Sequence, residues 1–142
     1  MEFEQFEKRV EKARAEQPLL FGLERDAIPD REEISRFQQE YGVRLPEQYI
    51  QFVLRYGGGY FGYTVLYSLD RGSPFYLGAH NTKEPGELLF IGENGCGDSY
   101  AFCVREGRCG EAVVLWEHEE GRVLPAAFSD LFDYLIKTGL KG

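Results

Sequence analysis

Apolar residues along the chain change their period once, near the middle. Phe3, Phe6, Val10 and Ala13 recur at helical spacing among Glu and Lys, which predicts an amphipathic helix over 2–17, stopped by Pro18 and covering the core. Asp30 and Glu33 form the sequence of a capping box, Ile34, Phe37 and Tyr41 share one face behind it, and Gly42 supplies a left-handed end. Pro46 suits the start of a third helix, because no N–H is lost there. Tyr49, Phe52, Val53 and Tyr56 then stand at i, i+3, i+4 and i+7, a buried stripe that Gly57, Gly58 and Gly59 end.

Beyond Tyr60 the pattern is strand-like. Residues 60–69 are aromatic and branched, and 88–91, 99–104 and 112–117 are short apolar runs between Gly-rich or charged turns. Glu106-Gly107-Arg108 and Glu119-Glu120-Gly121 read as loop tips, and 71–86, with Pro74 and Pro85, as a surface excursion. A last helix is expected over about 128–138, with Gly139 ending it. Helices, then strands, then a closing helix predict an α+β fold: a mainly antiparallel sheet of about four to six strands, flanked by N-terminal helices and a C-terminal helix. With no linker visible, residues 1–142 are expected to form a single domain.

Composition narrows the function. Hydrophobic residues make up 43% of the 142, enough for a packed interior. No apolar run approaches a membrane span, the acidic N-terminus lacks the pattern of a secretory signal, and three cysteines do not make a disulfide framework. A cytoplasmic protein is expected. The net charge is −8, and 8 basic and 12 acidic side chains fall on each side of the Glu47/Gln48 boundary, so the acidity is distributed. That disfavours nucleic acid as a partner and favours a basic protein.

Three segments, in order, resemble the SUKH superfamily, which includes a yeast regulator of cell-wall synthesis. The first runs from Glu33-Ile34 through Glu40-Tyr41-Gly42-Val43-Arg44-Leu45-Pro46-Glu47-Gln48-Tyr49 to Phe52-Val53 and Gly57-Gly58. The second is Leu89-Phe90-Ile91-Gly92 leading to Gly97-Asp98-Ser99-Tyr100-Ala101-Phe102, and the third Val113-Val114-Leu115-Trp116-Glu117-His118 with the closing helix. The likeness covers about 30–138. Tyr56 stands where many members have Asn before the paired glycines. The resemblance implies a binding role: bacterial members are immunity proteins against polymorphic toxins, often nucleases, and the family brings no catalytic residues to carry over.

The candidate chemistry agrees with that. Gly92-Glu93-Asn94-Gly95-Cys96-Gly97-Asp98 is glycine-rich, but it carries two acids and no Lys and precedes a strand, so it is a turn and not a phosphate cradle. Cys96, Cys103 and Cys109 contain no Cys-x-x-Cys pair and, with only His80 and His118 available, predict no metal site. Cys103 is expected to face the core, and Cys96 to be open to solvent. A small hydrolase would pair Cys96 with His80 or His118, or use Glu93 and Asp98 as acid and base, but no motif surrounds any of them. A regulatory scaffold is the third reading. The expectation is therefore an immunity protein without catalytic residues or cofactor, occluding the active site of a basic toxin, a nuclease in the first instance. Its expected contacts are Asp70, Glu93, Asp98, Glu117, Glu119 and Glu120, with the exposed aromatics Tyr60 and Tyr76.

Overall fold

The computed structural model describes residues 1–84 and 86–141, with the backbone alone at Ala126. Helix α1 spans Phe3–Glu16, α2 Arg31–Tyr41 and α3 Glu47–Tyr56; the short strands β1 (Gly59–Phe61) and β2 (Thr64–Leu66) form a hairpin. Strands β3 (Leu88–Glu93), β4 (Ser99–Arg105), β5 (Arg108–Glu117) and β6 (Arg122–Phe128) form an antiparallel sheet in sequence order. Helix α4 (Leu131–Leu135) continues through a wide turn, Ile136–Leu140, to the C-terminus. This is the α+β fold expected, with six strands among the described residues.

Period and capping explain the helices. Phe6 and Val10 are the buried face of α1; Ile34, Phe37 and Tyr41 that of α2; Tyr49, Phe52, Val53 and Tyr56 that of α3. At the head of α2, Asp30 Oδ1 accepts the Glu33 N–H at 2.8 Å while Glu33 Oε1 accepts the Asp30 N–H at 3.2 Å. Gly42 closes the helix in the left-handed conformation. Helices α1, α3 and α4 and the hairpin meet in an aromatic cluster, where Phe6 stacks on Phe132 of α4 at 4.5 Å and meets Phe52, Tyr56 and Phe61 at 6.0–6.2 Å. Tyr49 anchors α3 to the sheet side, its buried hydroxyl donating to the Tyr67 carbonyl at 2.8 Å.

Several elements differ from expectation. The run 60–69 is a hairpin and not one strand, because the chain reverses at Gly62-Tyr63. Gly62 has φ +58°, a Cβ there would run into the Gly139 carbonyl, and that carbonyl accepts the Tyr63 N–H at 2.9 Å. Gly139 is thus packed against the hairpin and does not end the helix; Lys141, left-handed at φ 60°, does. The helix starts at Leu131 under the Asp130 cap, and Phe128 belongs to β6. Strand β6, Arg122-Val123-Leu124-Pro125-Ala126-Ala127-Phe128, is apolar beyond Arg122, but the proline in its middle argues against a strand; Pro125 is tolerated because β6 is an edge strand. The excursion 71–86 is not purely surface: Leu77 is fully buried, and Pro85 lies outside the described residues. Cys103 is exposed, whereas Cys109 is the buried thiol, pushed up to about 12 by desolvation. The core takes Phe102 and Val104, so Cys103 between them points the other way.

The three glycines after α3 have φ of 82°, 117° and 77°. They let the chain pass under the segment entering α2: the Asp26 N–H donates to the Gly58 carbonyl at 3.0 Å, and Ser68 Oγ donates to Asp26 Oδ2 at 2.5 Å. A Cβ on Gly57 would overlap the Asp26 carbonyl, a backbone atom that cannot swing aside. Gly57→Val is therefore expected to lower unfolding free energy by more than about 1 kcal/mol, read as a lower urea midpoint. An unchanged midpoint would show that the segment can move away from α3 without cost.

Candidate functional site

Strand register divides the sheet into two faces. Leu89, Ile91, Phe102 and Val113 are buried in the helix-side core. On the opposite face, Phe90 pairs with Ala101 and Ala101 with Val114, Leu88 with Cys103, and Trp116 with Ser99 and Val123. Phe90 and Trp116 meet edge to face at 6.1 Å. This second face lines a cleft of about 1040 Å³, walled on one side by residues 79–82, 84, 86 and 87. Asn81 holds that wall in place: its amide nitrogen donates to the Leu77 and Phe90 carbonyls and its oxygen accepts the Phe90 N–H, each within 2.9 Å.

The turns at one end of the sheet bring most of the expected residues together. Asn94 organises the β3–β4 turn, its Oδ1 accepting the Cys96 N–H at 2.8 Å and its Nδ2 donating to Asp98 Oδ2 at 3.2 Å. Asp98 Oδ1 then reaches across to the β5–β6 turn, 2.7 Å from His118 Nδ1 and 3.1 Å from the His118 N–H that donates to it. The hydrogen bonds from His118, with that from Asn94, hold the Asp98 carboxyl below its ordinary range. A Cβ on Gly97 would stand 2.9 Å from the His118 ring, so the glycine makes room for the imidazole. Glu117, Glu119 and Glu120 surround the same turn. Arg122 draws on Glu120 at 3.1 Å and Glu117 at 3.7 Å, while Glu93 and Glu119 are exposed and form no ion pair among the described residues.

The other expected contacts lie elsewhere. The Asp70 carboxylate accepts the Ala27 N–H at 3.0 Å and the Gly72 N–H at 3.1 Å, pinning the entry to α2 to the segment after β2. Tyr60 is exposed on β1 with its ring edge-on to Phe75 at 5.2 Å. Tyr76 is not exposed but half-buried, edge-on to Phe37 at 6.3 Å and beneath the Arg71 guanidinium. Of the two histidines, His118 is held through Nδ1 by Asp98, and His80 stacks on Tyr67 at 3.9 Å with Nε2 3.0 Å from the Pro74 carbonyl. Among the described residues no three His, Cys, Asp or Glu side chains converge as a metal-ligand set, and no helix is long and apolar enough to cross a membrane.

Sequence reasoning missed the Asp98–His118 tie and the roles of Arg122 and Asn81. Only Asn94-Gly95 carried a local signal, as a turn dipeptide. The others depend on partners up to 20 residues away, the most distant brought together by strand register.

The chain belongs to the SMI1 / KNR4 family (SUKH-1), which matches residues 28–137, and the role that goes with the family is protein binding. A crystal structure of a protein from Pseudomonas syringae pv. tomato has the same fold, with a TM-score of 0.67 and 18% identity over 96% of this chain and 99% of that one. A search of the curated proteins finds no match.

The Asp98 carboxyl gives the site a pH signature. Because its folded pKa is lowered, its stabilisation is complete above the ordinary carboxylate value of 3.8 and is lost as pH falls through the lowered folded value. Asp98→Asn should lower the melting temperature at pH 7, and the gap from the parent should close in strong acid. A gap of constant size from neutral to acid pH would contradict the role given to the carboxylate.

Proposed function

We propose that this chain is an immunity protein that neutralises a cationic toxin domain, a nuclease in the first instance, by covering its active site. The observation that carries the reading is the Asp98–His118 bond, which joins two acidic turns into one rigid end of the sheet. Glu93, Glu117, Glu119 and Glu120 are presented there on turns whose backbones are already fixed, so little conformational entropy is lost on binding. A nuclease cleft is basic because it must hold phosphates, and an acidic projection is its electrostatic complement. Inhibition of this kind needs no catalytic group and no cofactor. Family membership supports the protein-binding part of the reading, and the net charge of −8 supports the sign of the partner.

Long-range attraction acts mainly on the rate of encounter. Raising salt should therefore slow association with the toxin encoded beside this chain far more than it speeds dissociation. Glu93→Lys with Glu119→Lys should reduce the association rate by about tenfold or more. The same reversal at Glu16 and Glu24, exposed but away from the sheet end, should change it little. Equal effects of the two pairs, or an association rate indifferent to salt, would refute this placement of the contact.

A further inference from the structure

The opposite end of the outer face has the opposite charge. At the β4–β5 hairpin, Arg105 stands across from Arg108, and Arg44 lies beside Arg108 in a parallel bridge. The backbone fixes this row, the Arg44 N–H donating to the Gly107 carbonyl at 2.6 Å and the Cys109 N–H to the Arg44 carbonyl at 3.0 Å. Val43, Leu45, Val104 and Cys109, the chain neighbours of the row, are buried, so all three arginines point away from the core. Like charges directly opposite one another in a sheet destabilise it. Among the described residues none of the three has a carboxylate within ion-pair distance, although Arg55, Arg71 and Arg122 each do. A chain with 24 acidic and 16 basic side chains thus leaves three guanidiniums without an ion pair among the described residues, with Glu106 at the hairpin tip the one acid in the row's own turn.

The row borders the cleft, which Arg105 lines together with Leu88, Phe90, Cys103, Trp116 and Val123. Glu84 and Glu87 also line it, on the loop wall, and among the described residues neither forms an ion pair with the row. We propose that this cleft receives a protruding apolar segment of a partner protein whose carboxylates are held by Arg44, Arg105 and Arg108. Guanidinium forks match carboxylates in two-point geometry, and the apolar floor supplies the burial that charge pairs alone do not. A second copy of the same concave face cannot fill the cleft, and duplex or single-stranded nucleic acid is repelled by the chain as a whole. The proposal rests on the protein-binding reading and adds the chemistry of the segment bound: acidic and apolar here, against the basic surface expected at the other end.

Trp116 is the only tryptophan in the chain and lines the cleft, so its emission reports occupancy. Short random peptides displayed on phage, from a library without tryptophan, are selected on the native protein. The selected peptides should combine Asp or Glu with large apolar residues and shift Trp116 emission. The triple variant Arg44→Glu, Arg105→Glu, Arg108→Glu should bind them at least about tenfold more weakly, as should the milder Arg→Gln triple with its circular dichroism unchanged. Selection of basic peptides, binding that leaves Trp116 emission unchanged, or tighter binding of a DNA oligonucleotide than of any peptide would overturn the proposal. So would a failure to select peptides at all. A chain that still neutralises its toxin after such a failure keeps the immunity reading and loses only this one.

Discussion

Burying one face of the four-stranded sheet dictates what remains for recognition. Alternation along each strand sends Leu89, Ile91, Phe102 and Val113 inward to the helices, and therefore sends Leu88, Phe90, Cys103 and Trp116 to the other side. Among the described residues no α-helix covers that second face; residues 79–82, 84, 86 and 87 wall one side of it, held by the three hydrogen bonds of Asn81. The two ends of the sheet are turns of opposite charge, the acidic pair joined through Asp98 and His118 and the basic one around Arg105 and Arg108. A surface with an apolar centre and a charge at each end fixes the orientation of whatever docks on it, because a reversed partner meets like charge at both ends.

Where a signal was local, the sequence sufficed. The stripe at Tyr49, Phe52, Val53 and Tyr56, the Asp30–Glu33 box and the glycines at 57–59 each specify their structure within one or two turns of chain. Strand β6 was hidden because an edge strand with a proline needs no alternation strong enough to recognise. Cys103 was misplaced because orientation on a strand depends on which neighbours the core accepts, here Phe102 and Val104, and not on the cysteine itself. The acidic loops were legible as loops, but their union was not, since Asp98 and His118 are 20 residues apart. The same limit hid the arginine row, whose members are distributed over two hairpin positions and the link between two helices.

The aromatic cluster around Phe6 sets the rigidity on which this surface depends. Stacking of Phe6 on Phe132, with Phe52, Tyr56 and Phe61 around it, ties the first helix, the third helix, the hairpin and the C-terminal helix into one packed unit. The sheet is then backed along the face that the helices cover. Turns at its ends keep their geometry while carrying acidic or basic side chains, because their backbones are fixed by Asn94, by Asp98 and by the bridge at Arg44. In the proposed reading, recognition falls on positions that folding leaves free.

Amide hydrogen exchange of the chain, free and bound to a toxin domain of the kind proposed, tests the central claim most directly. Protection on binding is expected at the turns 94–98 and 117–122 and along the strands bordering the cleft, with little change in the three N-terminal helices. Protection confined to those helices, with the sheet ends exchanging as in the free chain, would contradict the account.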